Sequence, residues 1–301
     1  MKEWKKGELA LVTVPAAFLY AQPDDAAGPQ TDEVMSGWAV AATGAEQAGW
    51  VPIQTHYGYL GWIRREALTP LTEESLASRR EDGMLRAASA WMDIYDQPKV
   101  QGRLIVSLPR GSFVSRAEEE KDGWIRIRTF QGAEGWVHER DTAPRMDDDS
   151  FLMDGGEQAV CFHRLRERIL KKIPEYELRM GVVRSALAYL GAPYRWGGKA
   201  PGGIDCSGLA FMCWMENGIL IYRDAQILPQ YPVRKIEPAN IREGDLIFFP
   251  GHVAVYLGNG KYIHATAYAK TPWVTVNSLN PADTDYREDL AAGITECGTI
   301  F

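Results

Sequence analysis

The first half of the chain contains an internal repeat, which limits the folds available to it. GWVPIQTHYGYLGWI at residues 49–63 and GWIRIRTFQGAEGWV at residues 123–137 align without a gap and are identical at seven of fifteen positions. Self-similarity of this kind, here at a spacing of 74 residues, indicates two copies of one structural unit. In each copy, alternating apolar residues followed by a glycine-containing turn predict a β-hairpin with one buried face.

Each copy is long enough for a small all-β barrel, since roughly 60 residues accommodate a barrel of short strands. Both copies resemble the bacterial SH3-like domain, whose closing strands commonly read G-W-x-x-V…G-x-x-G-W-V. The resemblance implies one SH3-like barrel at residues 1–70 and a second at residues 84–148. The charged stretch at residues 71–83 is predicted to be a linker or a connecting helix.

The hairpin turns of the two copies differ in aromatic content. Tyr57 and Tyr59 in the first copy correspond to Gln131 and Ala133 in the second. We expect the repeated tryptophans to lie in the barrel cores. Aromatic residues at an exposed turn are unfavourable in water, so the first copy is expected to contact another domain or a ligand.

The overall charge excludes some classes of partner. The chain of 301 residues has 33 basic and 40 acidic residues and a formal charge of −7. Nucleic acids and anionic membranes require a basic surface, so neither is expected as the main partner. The hydrophobic share of 46% permits a sizeable packed core.

The cysteines and the N-terminal segment bear on the compartment. Four cysteines without C-x-x-C spacing fit reduced thiols better than a disulfide framework or a zinc site. LALVTVPAAFLYA follows three lysines and has the composition of a signal-peptide core, but Glu8 and Pro15 interrupt it and the repeat requires it as a strand. We expect a cytoplasmic protein; the alternative is an exported protein whose signal peptide has been removed. No stretch has the roughly 20 apolar residues of a membrane-spanning helix.

Residues 155–301 follow a different pattern. Apolar residues at helical spacing predict helices at residues 158–173 and 176–190, the second of which is ended by Gly191 and Pro193. Residues 246–249, 253–257 and 262–265 then predict consecutive strands. Helices followed by an antiparallel sheet indicate an α+β domain. The chain is therefore predicted to be multidomain, with two small β-barrels followed by an α+β domain.

The stretch GGIDCSGLAF, residues 202–211, makes Cys206 a candidate nucleophile. A glycine-rich loop precedes it and a good helix-forming run follows, so Cys206 is predicted in the first turn of a helix, where backbone N–H groups favour a thiolate. Asp205 can cap this helix, although its charge opposes the thiolate. For a single cysteine, burial in the core is the commoner explanation. We assign packing roles to the other cysteines, Cys161, Cys213 and Cys297.

Two of the five histidines are candidates for the base. His252 begins one predicted strand and His264 ends the next, so a hairpin brings both to the same end of the sheet. One imidazole can accept the thiol proton while the other orients it, as in a Cys-His-X triad. Packing alone does not readily explain this combination with Cys206.

Several motifs between residues 193 and 265 resemble those of the NlpC family of papain-like cysteine peptidases, in the family's order and spacing. They are PYRWGG, DCSGL, REGDLIFF, GHVAVYLG and YIHA. The resemblance covers about residues 158–301 and implies that Cys206 is the nucleophile, His252 the base and His264 the orienting residue. It also places Tyr194 near the oxyanion hole, with the backbone N–H of Cys206 as a second donor. No metal or cofactor is implied.

Other features are similar to the γ-D-glutamyl-L-diamino acid endopeptidases of murein-peptide recycling. They are the two SH3-like domains, RDA at residues 223–225 and WVTVNSLNPADTDYREDL at residues 273–290. In these enzymes the first SH3-like domain closes the substrate groove and the free amine of L-Ala is held there. The resemblance implies that Asp205 and Ser207 contact L-Ala-γ-D-Glu and that Tyr59, with Tyr57 second, closes the pocket. We choose Glu33 as the acidic partner of the amine, although surface carboxylates are usually only solvated.

The sequence therefore predicts a monomeric cysteine endopeptidase that cleaves the bond between γ-D-Glu and a diamino acid in murein peptides. A secreted cell-wall hydrolase with SH3-like wall anchors is the main alternative. A non-enzymatic binding module and an acyl-transfer enzyme acting on lipids are weaker alternatives. The pattern leaves open whether the diamino acid is meso-diaminopimelate or lysine.

Overall fold

The structure is a computed structural model that describes residues 3–26, 28–79, 83–153 and 158–301. The chain divides into two compact units, Met1–Gly155 and Gly156–Phe301. Among the helices in the described ranges, none is both long and apolar enough to cross a membrane.

The first unit begins with a seven-stranded antiparallel sheet. Its strands are β1 (Leu9–Val12), β2 (Ala16–Tyr20), β3 (Gln30–Met35), β4 (Ala39–Ala42), β5 (Trp50–Thr55), β6 (Leu60–Arg64) and β7 (Leu68–Leu71). The order across the sheet is β3-β2-β6-β5-β4-β1-β7. A short helix, α1 (Glu73–Ser78), follows and is capped by the Thr72 side chain, which accepts a hydrogen bond from the Ser75 N–H at 3.1 Å.

A second seven-stranded sheet follows in the same unit. Its strands are β8 (Leu85–Ala87), β9 (Trp91–Tyr95), β10 (Leu104–Pro109), β11 (Phe113–Lys121), β12 (Trp124–Arg128), β13 (Glu134–His138) and β14 (Thr142–Pro144). The order is β10-β9-β13-β12-β11-β8-β14, which repeats the order of the first sheet strand for strand. The helix α2 (Ser150–Met153) follows β14.

The glycines of the sequence repeat are required for the same structural reasons in both sheets. Gly58 and Gly132 occupy the hairpin turns with φ of +83° and +85°, a region that side chains with a Cβ rarely adopt. At Gly61 and Gly135 a Cβ would lie 2.9 Å from Leu19 and 2.6 Å from Ile94, respectively, because β2 or β9 passes too close. Larger residues are therefore excluded at the same places in each copy.

The other identical positions of the repeat build the same core twice. Trp50 and Trp124 are buried, and each meets the edge of a tyrosine ring, Tyr20 at 5.3 Å and Tyr95 at 5.9 Å. The alternating apolar residues of both hairpins are at most 1% exposed; they are Val51, Ile53, Ile63, Ile125, Ile127 and Val137. The tryptophans that follow Gly61 and Gly135 are only half-buried. Burial on one face of each strand is what the alternation predicted.

A buried cluster of charged residues lies in the segment that follows β14 in the first unit. Asp147 and Asp149 are buried and form ion pairs with Arg145 at 3.1 and 2.8 Å. Asp149 also pairs with Arg79 at 3.0 Å, and Asp147 lies 3.2 Å from His56 of the first sheet. Burial acts to raise the pKa of Asp147, but Arg145 and His56 hold it below its ordinary value. The cluster thus connects segments from both sheets.

Replacement of Arg145 with Leu should destabilise the first unit by about 3–5 kcal/mol, because two buried carboxylates lose their shared cation. Chemical denaturation followed by circular dichroism measures this loss. Arg126→Leu is the matched control, because Arg126 pairs with Glu119 and Glu134 on the exposed surface, where such pairs contribute at most about 1 kcal/mol. Equal losses for the two variants would contradict the assigned role of the cluster.

The second unit combines helices with a six-stranded antiparallel sheet. Its elements are α3 (Gln158–Lys172), α4 (Glu175–Leu187), β15 (Lys199–Ala200), β16 (Gly203–Ile204), α5 (Cys206–Met215), β17 (Arg234–Ile236), β18 (Leu246–Phe249), β19 (His252–Gly258), β20 (Lys261–Ala265), β21 (Val274–Ser278), α6 (Glu288–Ala291) and β22 (Glu296–Thr299). The large sheet has the order β17-β22-β18-β19-β20-β21, and β15 pairs only with β16. The predicted helices correspond to α3 and α4, and the predicted strands to β18, β19 and β20.

The helix α5 is the centre of the second unit. All ten of its residues are buried, so it is apolar on every side, as expected for a helix enclosed by other elements. The position of its first residue, Cys206, is therefore set by the packing around the whole helix.

Candidate active site

The start of α5 is fixed by the carboxylate of Asp205. Asp205 caps the helix by accepting a hydrogen bond from the N–H of Gly208 at 2.6 Å. It also accepts one from the N–H of Gly197, in the loop before the helix, at 2.7 Å. A Cβ on Gly208 would lie 2.3 Å from the carbonyl oxygen of Gly198, so the DCSG motif needs glycine there. The glycine-rich loop therefore packs directly on the first turn of the helix.

Arg223 neutralises Asp205. Its side chain is 1% exposed and binds both carboxylate oxygens, each at 3.0 Å. It also donates to the hydroxyl of Ser207 at 2.8 Å. Asp205 and Ser207, predicted to contact the substrate, thus both support the helix start through Arg223. Arg223 begins the RDA motif at residues 223–225, and the sequence alone assigned it no role.

The sulfur of Cys206 lies among backbone donors. The N–H groups of Val253 and Ser207 make hydrogen bonds to it and lower its pKa, but burial, followed by the charge of Asp205, outweighs them and raises the pKa of Cys206 to about 11. The lowered pKa expected from the helix start is therefore wrong for the resting thiol. Since Val253 directly follows His252, the sulfur lies beside the first residues of β19.

Burial does not distinguish Cys206 from the other cysteines. It is 7% exposed, against 6% for Cys161, 0% for Cys213 and 2% for Cys297. All four, which lie in the described ranges, are reduced thiols. Only Cys206 has the combination of a helix start, the Val253 N–H and a nearby histidine pair.

The β19–β20 hairpin places the two histidines in contact. Nε2 of His252 lies 2.7 Å from Nδ1 of His264, and the ring centres are 4.9 Å apart. His264 is fully buried, whereas His252 is half-buried. Burial lowers the pKa of His252 to about 3, and the neighbouring His264 adds to this effect. Burial likewise lowers the pKa of His264 to about 4. Both rings are therefore neutral at pH 7.

Asn277 extends the histidine pair and is a site residue that was not predicted from the sequence. Its Oδ1 lies 3.0 Å from Nε2 of His264, and its Nδ2 donates to the backbone carbonyl of Asp285 at 2.8 Å. Asn277 lies on β21, which pairs with β20. The one feature of the sequence that could have identified Asn277 is its polar side chain within an apolar stretch of residues 273–290.

The side chain of Tyr194 is subject to the charge of Cys206. Its backbone N–H binds the carbonyl of Pro272 at 2.9 Å, and its main chain bridges to Ile204, two residues before α5. Burial, then the charges of Cys206 and Asp205, raise the pKa of Tyr194 above its ordinary value. The phenol therefore stays protonated and can donate a hydrogen bond.

Comparison with known proteins identifies the family. The model of the NlpC/P60 family matches residues 191–285, and that of the bacterial SH3 domain matches residues 92–143. Dipeptidyl-peptidase 6 of Lysinibacillus sphaericus is 32% identical over 296 residues, which cover 97% of this chain and 99% of the relative. The chain belongs to the NlpC/P60 family.

Other matches support this NlpC/P60 assignment. The gamma-D-glutamyl-L-lysine dipeptidyl-peptidase of Bacillus subtilis is 32% identical over 278 residues, which cover 86% of this chain and 79% of the relative. A crystal structure of an NlpC/P60 family protein from Bacillus cereus matches 96% of this chain and 98% of its own with a TM-score of 0.72. Its sequence identity is 19%, so it supports the fold alone.

The NlpC/P60 protein is thus a hydrolase of the cysteine peptidase class, with a bacterial SH3 domain and relatives that act in cell-wall chemistry. Within the second unit, His252 contacts His264, Val253 acts on the thiol of Cys206, and Cys206 acts on Tyr194. The catalytic roles of Cys206, His252, His264 and Tyr194 stay predictions.

The predicted pocket residues of the first unit have defined local positions. The prediction that Tyr57 is exposed at the hairpin turn is wrong, because its side chain is 1% exposed. Its hydroxyl donates a hydrogen bond to the carboxylate of Asp32 at 2.5 Å. Tyr59 is half-buried, and its N–H binds the hydroxyl of Thr55 at 2.9 Å. Glu33 is 3% exposed and lies on β3, not on a solvated loop. Their role toward the substrate stays a prediction.

Arg223→Met should destabilise the NlpC/P60 unit by about 3–5 kcal/mol, because Asp205 becomes a buried carboxylate without its cation. Denaturation midpoints of the full chain measure this. Adding Asp205→Asn to Arg223→Met should recover part of the loss, since no unpaired charge remains. Arg242→Met, at an exposed pair with Glu175, is the control. A double variant no more stable than Arg223→Met would contradict the account.

The acid limb of kcat/KM should lie well below pH 6.5, the ordinary pKa of imidazole. A lowered pKa means that His252 and His264 release their protons at lower pH, so the base form persists into the acid range. Initial rates between pH 3 and 9 would locate the limb. His163→Gln, outside the site, should leave it unchanged. A limb at or above pH 6.5 would show that a charged imidazole persists despite burial.

Proposed function

We propose that the protein hydrolyses the amide between the γ-carboxyl of D-Glu and the amine of a diamino acid in murein peptides with a free N-terminal L-Ala. The product would be L-Ala-D-Glu. Support comes from the neutral histidine pair next to a thiol at a helix start and from the relatives named dipeptidyl-peptidases. The observation that carries the proposal is the contact of 2.7 Å between Nε2 of His252 and Nδ1 of His264, at the start of the strand whose next residue, Val253, acts on the pKa of Cys206.

The reaction begins with proton transfer from Cys206 to His252. Burial raises the pKa of the thiol to about 11, so the thiolate forms by transfer to the neighbouring imidazole, not by loss of the proton to bulk water. The new thiolate lies at the positive end of α5 with hydrogen bonds from Ser207 and Val253 N–H groups. It attacks the γ-carbonyl of D-Glu.

The tetrahedral intermediate carries its charge on the former carbonyl oxygen. The protonated phenol of Tyr194 and the backbone N–H of Cys206 are the proposed donors to this oxyanion. His252 then gives its proton to the departing amine of the diamino acid. Water, deprotonated by His252, releases L-Ala-D-Glu from the thioester and restores the thiol.

We further propose that the first sheet is a second SH3-like domain. Its strand order is the same as that of the sheet containing residues 92–143, which match the bacterial SH3 model. Tyr59 and Glu33 of this domain are the residues that we propose to bind the free amine of the substrate. Tyr57 instead supports this region from within, since its hydroxyl binds Asp32 next to Glu33.

We propose that the enzyme acts in the cytoplasm on peptides already released from the glycan. Its cysteines are reduced thiols, and a free N-terminal L-Ala arises only after such release. The alternative of a cell-wall hydrolase predicts activity on stem peptides whose N-terminus is blocked.

Mass spectrometry of products from L-Ala-γ-D-Glu-diamino acid peptides tests the proposal. Free peptide should give L-Ala-D-Glu, and the N-acetylated peptide should react at least about tenfold more slowly, since a pocket built for an amine leaves its polar groups unpaired. Cys206→Ala should abolish turnover, whereas Cys161→Ala should retain it. Turnover by Cys206→Ala would refute the nucleophile, and equal rates on the two peptides would refute the closed pocket.

A further inference from the structure

We infer that Asn277 is a positioning residue that fixes the tautomers of His264 and His252, so that Nδ1 of His252 is the atom that takes the proton from Cys206. The inference rests on the proposed cysteine-peptidase mechanism. It is carried by a continuous chain of hydrogen bonds from β19 to the segment after β21.

The orientation of the Asn277 amide is determined by a backbone carbonyl. The oxygen of Asp285 can only accept, so the group 2.8 Å from it must be the NH2 of Asn277. The same carbonyl accepts the N–H of Ser278 at 3.1 Å. Lys261 pairs with the carboxylates of Asp283 and Asp285, each at 2.7 Å, and holds this segment against β20. The amide oxygen of Asn277 therefore faces His264.

The amide oxygen then determines the proton position on His264. An amide oxygen only accepts, so Nε2 of His264, 3.0 Å away, must carry a hydrogen. A neutral imidazole has one N–H, which leaves Nδ1 of His264 as an acceptor. Burial keeps this ring neutral by lowering its pKa to about 4.

The contact with His264 determines the position of the proton on His252 in the same way. Its Nε2 lies 2.7 Å from the acceptor Nδ1 of His264 and must be the donor. Because the His252 ring is also neutral, its Nδ1 carries the lone pair. That nitrogen is the one left for the thiol of Cys206, whose sulfur is held by the N–H of Val253, the next residue.

The hydrogen-bond chain from His252 through His264 to Asn277 consists of neutral groups, and this affects the pH range in which His252 can act as a base. The charge of Arg287 acts on both imidazoles, that of Asp289 on His264, and that of Asp205 on His252. None of them replaces Asn277 as the hydrogen-bond partner of His264. Burial lowers the pKa of His264 more than the hydrogen bond to the Asn277 amide raises it, so the base stays available at low pH. A carboxylate at this position would orient the ring and, through its negative charge, raise the histidine pKa further.

The test compares three variants of the full chain. Asn277→Leu removes the acceptor and should lower kcat/KM by about 10- to 100-fold, mainly through kcat, since general-base catalysis contributes about 10²- to 10⁴-fold. Asn277→Asp keeps an acceptor and should be more active than Asn277→Leu, with its acid limb moved to higher pH. Thr275→Val is the control, because Thr275 lies two residues earlier on β21 and pairs with His264 in register.

Two measurements need no substrate and separate this inference from the proposed substrate. ¹⁵N NMR of histidine-labelled resting protein should show His264 and His252 as Nε2–H tautomers in the wild type and in Thr275→Val, and a changed His264 in Asn277→Leu. The rate at which iodoacetamide alkylates Cys206 should fall in Asn277→Leu. Wild-type kcat/KM in Asn277→Leu would overturn the inference. So would lost activity with an unchanged His264 tautomer, because Asn277 would then act in some other way.

Discussion

The main constraint on the second unit is that the buried carboxylate of Asp205 lies next to the sulfur of Cys206. In the proposed mechanism that sulfur must become an anion. Asp205 is required as the cap of α5, yet its charge raises the pKa of Cys206. Arg223 resolves this conflict by binding both carboxylate oxygens while itself almost fully buried. The close-packed glycine loop and the Ser207 hydroxyl complete the arrangement. The helix start can therefore be rigid without presenting a net negative charge to the thiolate.

The second requirement is a base that remains neutral while enclosed. Burial lowers the pKa of His252 and of His264, and it raises that of Cys206, so the two imidazoles and the thiol are uncharged at rest. In the proposed mechanism, these groups become charged only when the proton moves from the sulfur to the imidazole. At that moment the α5 N-terminus, the Val253 N–H and the Tyr194 phenol are already in place. Catalysis by preorganised dipoles of this kind avoids reorganisation of the surroundings during the reaction.

The sequence predicted what local patterns determine and missed what distant contacts determine. The repeat predicted two hairpins because its glycines and alternating apolar residues are fixed by turn geometry and burial. The contact of His252 with His264 followed from the hairpin between them. Arg223 and Asn277 could not be assigned because their partners lie 18 and 13 residues away, with no periodic signal. The burial of Tyr57 depends on Asp32, 25 residues earlier, and the pKa of Cys206 depends on packing around the whole helix.

The most direct test of the account is rapid-quench mass spectrometry of the enzyme during turnover of a murein tripeptide, followed by digestion to locate any adduct. The account predicts a transient thioester carrying L-Ala-D-Glu on the peptide that contains Cys206, and no adduct elsewhere. Turnover without an adduct under conditions that preserve thioesters, or an adduct carrying the diamino acid, would contradict nucleophilic attack by Cys206 on the γ-carbonyl.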